Sequence, residues 1–139
     1  MTSADTLNDV PKPMNDIEDL RKLLIGLVRE ESNQVVLERE GGEALIAQVL
    51  GGQAWLMYLM YGGDPGFTTR NPSYVDSPED TVEFSLPNGQ TDEYPAGWWL
   101  PDQVAFRALE YFYVHGGMAP WLTWSDDSLE WTYEGQRRR

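Results

Sequence analysis

The sequence has no cysteine, a single histidine and no long apolar run. Without cysteine there is no disulfide, no thiol nucleophile and no thiolate-bound metal, and one imidazole cannot supply a histidine-rich centre. The longest apolar stretch, around residues 54–61, is far too short to cross a bilayer, and no basic segment followed by an apolar one opens the chain. The sequence therefore predicts a cytoplasmic protein without a membrane span. Basic residues are scarce as well. Ten Lys and Arg stand against 23 Asp and Glu, for a formal charge of −13. Arg107 is the single Lys or Arg between Arg70 and Arg137, whereas residues 71 to 136 hold twelve acids. Such a surface repels phosphate backbones and anionic headgroups, which argues against nucleic acid or membrane and for a basic protein as partner.

What is present is ordinary globular material. The 139 residues suit one domain, and 41% hydrophobic with 12% aromatic content is enough for a core. Residues 1 to 14 lack apolar periodicity and are expected to be a flexible arm, residues 15 to 134 a single domain, and residues 135 to 139 a basic tail. Asn15 or Asp16 can cap a helix in which Ile17, Leu20, Leu24, Leu27 and Val28 recur at helical spacing. Strands are expected at residues 34–38, 44–50 and 53–61, separated by Gly-Gly turns. The stretch 62–80, punctuated by Gly and Pro, reads as a long loop. Residues 81–86 and 91–94 flank Asn88-Gly89 as a hairpin. Pro101 opens a second helix with a stripe of Val104, Ala105, Ala108, Leu109 and Phe112, ended by Gly116-Gly117. A short strand is expected at 121–124 and another from Trp131 to Tyr133. The fold class is α+β, with a mostly antiparallel sheet of five or six strands and two main helices packed on it. Trp55 and Trp124 should be buried.

Catalytic signals are missing. The paired glycines lack the Lys and Ser/Thr of a phosphate loop, and His115 has no Ser partner for a triad and sits where an imidazole can cap a helix carbonyl. Adjacent acids such as Asp92-Glu93 and Asp126-Asp127 read as solvated faces, and no acid spacing matches a calcium loop. No catalytic, cofactor-binding or metal residues are assigned. The feature that remains is a pair of expected surface segments: residues 64 to 80, and 92 to 99. They bring Asp64, Asp76, Glu79, Asp80, Asp92 and Glu93 together with Phe67, Tyr74, Tyr94, Trp98 and Trp99, an acidic rim around aromatic anchors suited to a basic protein. An exposed Trp98-Trp99 pair would also suit a sugar, so a carbohydrate-binding module or carboxylate-dependent glycan enzyme is the alternative reading; a buried pair would instead close the core beneath the second hairpin and leave the acids simply solvated.

The run Leu100-Pro101-Asp102-Gln103-Val104-Ala105-Phe106-Arg107-Ala108-Leu109-Glu110-Tyr111-Phe112, followed by His115-Gly116-Gly117-Met118-Ala119-Pro120 and then Leu122-Thr123-Trp124, resembles the closing motif of a known family. That family is the bacterial immunity proteins of polymorphic toxin systems numbered first in their series, which often accompany deaminase toxins. Ile17 to Leu27, Gln34 to Glu38 and Gly52-Gln53-Ala54-Trp55-Leu56-Met57-Tyr58 are similar to its helix and meander. The resemblance covers most of residues 15 to 126. It implies a small α+β protein with no activity or cofactor of its own, a monomer that binds a cognate toxin one-to-one and occludes its active site.

Overall fold

A computed structural model describes residues 2–5, 12–27, 30–77, 79–86 and 89–127. The first helix, α1 (Ile17–Ile25), starts as its acids dictate: the Asp16 carboxylate accepts from the Asp19 amide at 3.1 Å, and the Asp19 carboxylate accepts from the Asn15 amide at 2.9 Å. This reciprocal pair satisfies two amides that the helix leaves free. A meander follows: β3 (Asn33–Glu38), β4 (Ala44–Leu50) and β5 (Gln53–Leu59), all antiparallel. The second helix, α2 (Asp102–His115), ends where Gly116 takes φ +73° and its amide donates to the Phe112 carbonyl at 2.8 Å.

The α+β architecture and the two helices are as the sequence predicts, and the sheet is wider. Among the described residues the main sheet has eight strands, in the order β10-β6-β5-β4-β3-β1-β2 with β9 also on β5, and β7 pairs β8 in a separate hairpin. Two strands come from the expected flexible arm, since β1 (Thr2–Asp5) pairs β3 and β2 (Lys12–Met14) pairs β1. The edge of β3 offers unpaired backbone groups that a segment without periodicity can still satisfy. A third correction concerns the long loop at 62–80. It contains β6 (Phe67–Arg70), held by β5 on one side and β10 (Thr123–Asp126) on the other. The expected strand at Trp131 to Tyr133 and the basic tail lie outside the described residues. Among the described residues no helix is long and apolar enough to cross a membrane.

Strand alternation separates two cores. On one face Val35, Leu37, Leu45, Ala47, Val49, Ala54, Leu56 and Tyr58 pack under Leu20 and Leu24 of α1 and Ala105, Ala108, Leu109 and Phe112 of α2. On the other face Trp55, with Met57 beside it, meets Phe84, Trp98 and Trp99 beneath β7 (Thr81–Ser85) and β8 (Thr91–Pro95). The order is helices, sheet, hairpin. Trp55 is buried as expected, whereas Trp124 is half-buried, its indole N–H donating to the Ala119 carbonyl at 3.0 Å.

The outer edge of β5 is shared, with β6 opposite Met57 and Tyr58 and β9 (Leu100–Pro101) opposite Gln53 and Ala54. Between them the Leu56 amide donates to the buried Thr69 hydroxyl at 3.1 Å, which donates in turn to the Trp98 carbonyl at 3.1 Å. Residues 96–100 are thereby sewn to the sheet.

Candidate functional site

The acidic loop after β6 is fixed by its own chemistry. The Asn71 carboxamide accepts from the Ser73 amide at 3.0 Å, an Asx turn, while its NH₂ donates to the Trp99 carbonyl at 3.0 Å and its backbone amide to the Gly97 carbonyl at 2.7 Å. Tyr74 then lies against Gly97, where an added Cβ would stand 3.3 Å from the ring. The absence of a side chain at 97 is what admits the tyrosine. The phenol donates to the Asp80 carboxylate at 2.7 Å, and the Ala96 amide donates to the Asp80 carbonyl at 2.8 Å. With its base pinned, the loop presents Val75, 88% exposed, beside the exposed carboxylates of Asp76, Glu79 and Asp80.

The hairpin continues the same charge. Glu83 and Glu93 are directly opposed in the β7–β8 register and both are exposed; Thr81 donates to Glu93 at 2.8 Å. Like charges facing each other across a ladder destabilise it. Among the described residues, none of Asp76, Glu79, Asp80, Glu83, Asp92 and Glu93 has a cation within ion-pair distance, whereas on the helix side Arg21 pairs with Glu18 and Glu110 and Arg39 with Glu43.

The Asp80 carboxylate pushes the Tyr74 phenol up to about 12, through the hydrogen bond first, then desolvation and the charges of Asp80 and Asp76. A phenol whose pKa rises on folding contributes stability that is complete below its ordinary value of 10 and lost as pH climbs towards 12. In Asp80→Asn, ultraviolet titration should find Tyr74 back nearer 10. A titration curve identical to that of the wild type would show that the contact is not made in solution.

Of the residues singled out from sequence, Tyr74, Asp76, Glu79, Asp80, Asp92 and Glu93 lie on the loop and hairpin as a group. Asp64 and Phe67 do not join them. Asp64 caps the turn at the other end of β6, accepting from the Met60 and Gly66 amides at 2.8 and 3.2 Å, and the Phe67 ring packs beside Tyr58 at 6.3 Å between centroids. As exposed anchors Trp98 and Trp99 are corrected: at 9% and 3% exposure they take the other course open to them and fill the second core, with Trp98 edge-on to Trp55 at 5.1 Å. Their short 3₁₀ turn at Ala96–Trp98 closes the hairpin onto the sheet instead of displaying an aromatic face. The carbohydrate reading loses its platform with them. Asp127 is likewise no solvated acid; it is 6% exposed and accepts from the Thr68 hydroxyl at 3.1 Å. His115 caps nothing among the described residues, because Arg39 does so, donating to the Phe112 and Tyr113 carbonyls at 2.9 and 3.0 Å. Sequence reasoning missed Val75, whose only signal is an isolated β-branched residue in a Pro-punctuated acidic loop. Trp121, expected within the short strand at 121–124, lies outside it, because the strand begins at Thr123.

A family model described as Immunity protein Imm1 matches residues 9–132. The chain belongs to that family. The matched span runs from before β2 to beyond β10 and takes in both helices and both cores. No curated protein matches the chain. As an Imm1 protein it is an immunity protein against a toxin, a role that asks for a binding surface rather than turnover.

Proposed function

We propose that this Imm1 protein neutralises a basic toxin that acts on nucleic acid, with deaminase chemistry the leading candidate, by covering its substrate entrance with the loop and hairpin face. The complex is one-to-one, it forms in the cytoplasm, and the immunity protein contributes no catalysis. One observation carries the reading: a fixed array of exposed carboxylates with no cation partner among the described residues, including the opposed Glu83 and Glu93. A site that grips nucleic acid is lined with cations for the phosphates. Carboxylates held in place by Tyr74, Asn71 and the hairpin complement it without reorganising. A deaminase must also admit its target base, unstacked, into a closed pocket, so a body seated on the entrance suffices to stop it.

Charge reversal tests the face. Asp76→Lys combined with Glu79→Lys should leave the thermal midpoint nearly unchanged, since exposed charges contribute little. Association with the purified cognate toxin domain should slow by about tenfold at low salt, with a shallower salt dependence. Unaltered rates at low salt would remove the acidic loop from the interface.

A further inference from the structure

The outer face of α2 holds a second surface of different character. Because Ala105, Ala108, Leu109 and Phe112 point into the core, the other side of the helix faces outward: Arg107, Val114 and His115 are exposed, and Glu110 and Tyr111 are half-buried, the tyrosine packing against the core edge. With Trp121 they line a groove of about 330 Å³. Trp121 and Val114 are 52% and 56% exposed, and the indole stands edge-on to Tyr111 at 5.5 Å and 89° between rings. Glu110 is occupied by Arg21 at 2.9 Å. Arg107 has no ion pair or hydrogen bond among the described residues, and His115 makes a ring contact with Tyr111 at 4.8 Å.

The indole is held out by a braced segment. The Gly117 amide donates to the Glu43 carboxylate at 2.7 Å, Ala119 is buried, and the Ala119 carbonyl accepts from the Leu122 amide at 3.3 Å and from the Trp124 indole at 3.0 Å. An exposed aromatic pair ordered before binding loses little entropy on binding, which is how interface anchors achieve large effects. The groove and the acidic loop are rooted at one end of the sheet. Thr123 pairs Arg70, so Trp121, two residues before that pair, and the loop that begins at Asn71 leave the same end of the sheet, one towards the helices and one towards the hairpin.

We infer that this groove is the anchoring site for the toxin, taking one large apolar side chain of the toxin against Trp121, Tyr111 and Val114, with a neighbouring toxin carboxylate on Arg107. The inference rests on the toxin-neutralising reading and adds the anchor that Trp98 and Trp99 cannot provide. Charge complementarity fixes the occupant. Where the loop and hairpin face is acidic and asks for cations, the groove offers a guanidinium with no ion pair among the described residues beside aromatic faces, and so selects an acid-flanked apolar projection.

The test is dissociation from the purified cognate toxin domain, measured beside the thermal midpoint of each variant. Trp121→Ala should raise the dissociation rate roughly thirtyfold or more. Arg107→Glu should weaken binding more than Arg107→Gln. Should Trp121→Ala lower the midpoint, Val114→Glu reads the same groove from an exposed helix position and should give the same loss. Wild-type dissociation rates in Trp121→Ala and Val114→Glu would overturn the anchor while leaving toxin neutralisation intact. Tighter binding by Arg107→Glu than by Arg107→Gln would overturn the carboxylate assignment. Failure of the wild-type protein to bind would overturn both the anchor and the functional reading beneath it.

Discussion

Trp55→Ala is expected to destabilise the protein by about 3–5 kcal/mol, the cost of emptying a large aromatic site in a packed core. Trp55 is 2% exposed on the hairpin side of β5, with Tyr94 at 4.8 Å and Trp98 at 5.1 Å between ring centroids. Among the described residues this cluster shares no member with the helix-side core, from which the sheet separates it. The damage should therefore be uneven. Hydrogen exchange should accelerate first in β7, β8 and the loop after Asn71, and later in β3, β4 and the helices. Because the acidic face is mounted on this second core, toxin binding should fall along with protection there. A loss below about 1 kcal/mol would mean that the aromatic layer is not packed as described.

Glu43→Ala is expected to cost about 2–4 kcal/mol, because one carboxylate serves three groups. It accepts from the Tyr58 hydroxyl at 2.5 Å and from the Gly117 amide at 2.7 Å, and it pairs with Arg39 at 3.5 Å. Arg39 in turn caps the end of α2, so removal of Glu43 loosens the helix terminus and the brace behind Trp121 together. Burial, and then the hydrogen bond to Glu43, raise the Tyr58 phenol above its ordinary range. That contribution is present below pH 10 and is lost on the alkaline side, so the wild type should show an alkaline decline in stability that is smaller in Glu43→Ala, where burial still raises the phenol but the hydrogen bond and charge of Glu43 are gone. Glu43→Gln, which keeps an acceptor, should cost less than Glu43→Ala. Equal losses for the two would place the effect in packing rather than in the hydrogen bonds.

The parts of this fold that were legible in the sequence are those written by periodicity and punctuation. Asp16 with its acidic first turn, the stripe from Ala105 to Phe112, and the two alternating segments of the β7–β8 hairpin each state a local preference that the tertiary structure keeps. The misses share a physical cause, since they depend on partners distant in sequence. Phe67–Arg70 becomes a strand because β5 and β10 lie on either side of it, and β1 and β2 form because β3 has a free edge. No local signal encodes either neighbour. The site divided in the same way. Its acids could be located because charge density is a property of composition. Trp98 and Trp99 could not be assigned to a side, because Gly97, which favours a surface turn, is here the gap that seats Tyr74 while both indoles turn inward. Trp121 was hidden by an error of two residues in one strand boundary.

Stoichiometric inhibition of the toxin through the acidic face, as proposed above, is tested most directly by titration. The cognate toxin domain's own catalytic activity is followed as purified immunity protein is added at low salt, wild type beside the Asp76→Lys, Glu79→Lys variant. The expected result is a linear fall to no activity at one equivalent of wild type, with the variant inhibiting more slowly and needing an excess. Full toxin activity in the presence of excess wild type, or identical titrations for wild type and variant, would contradict the account.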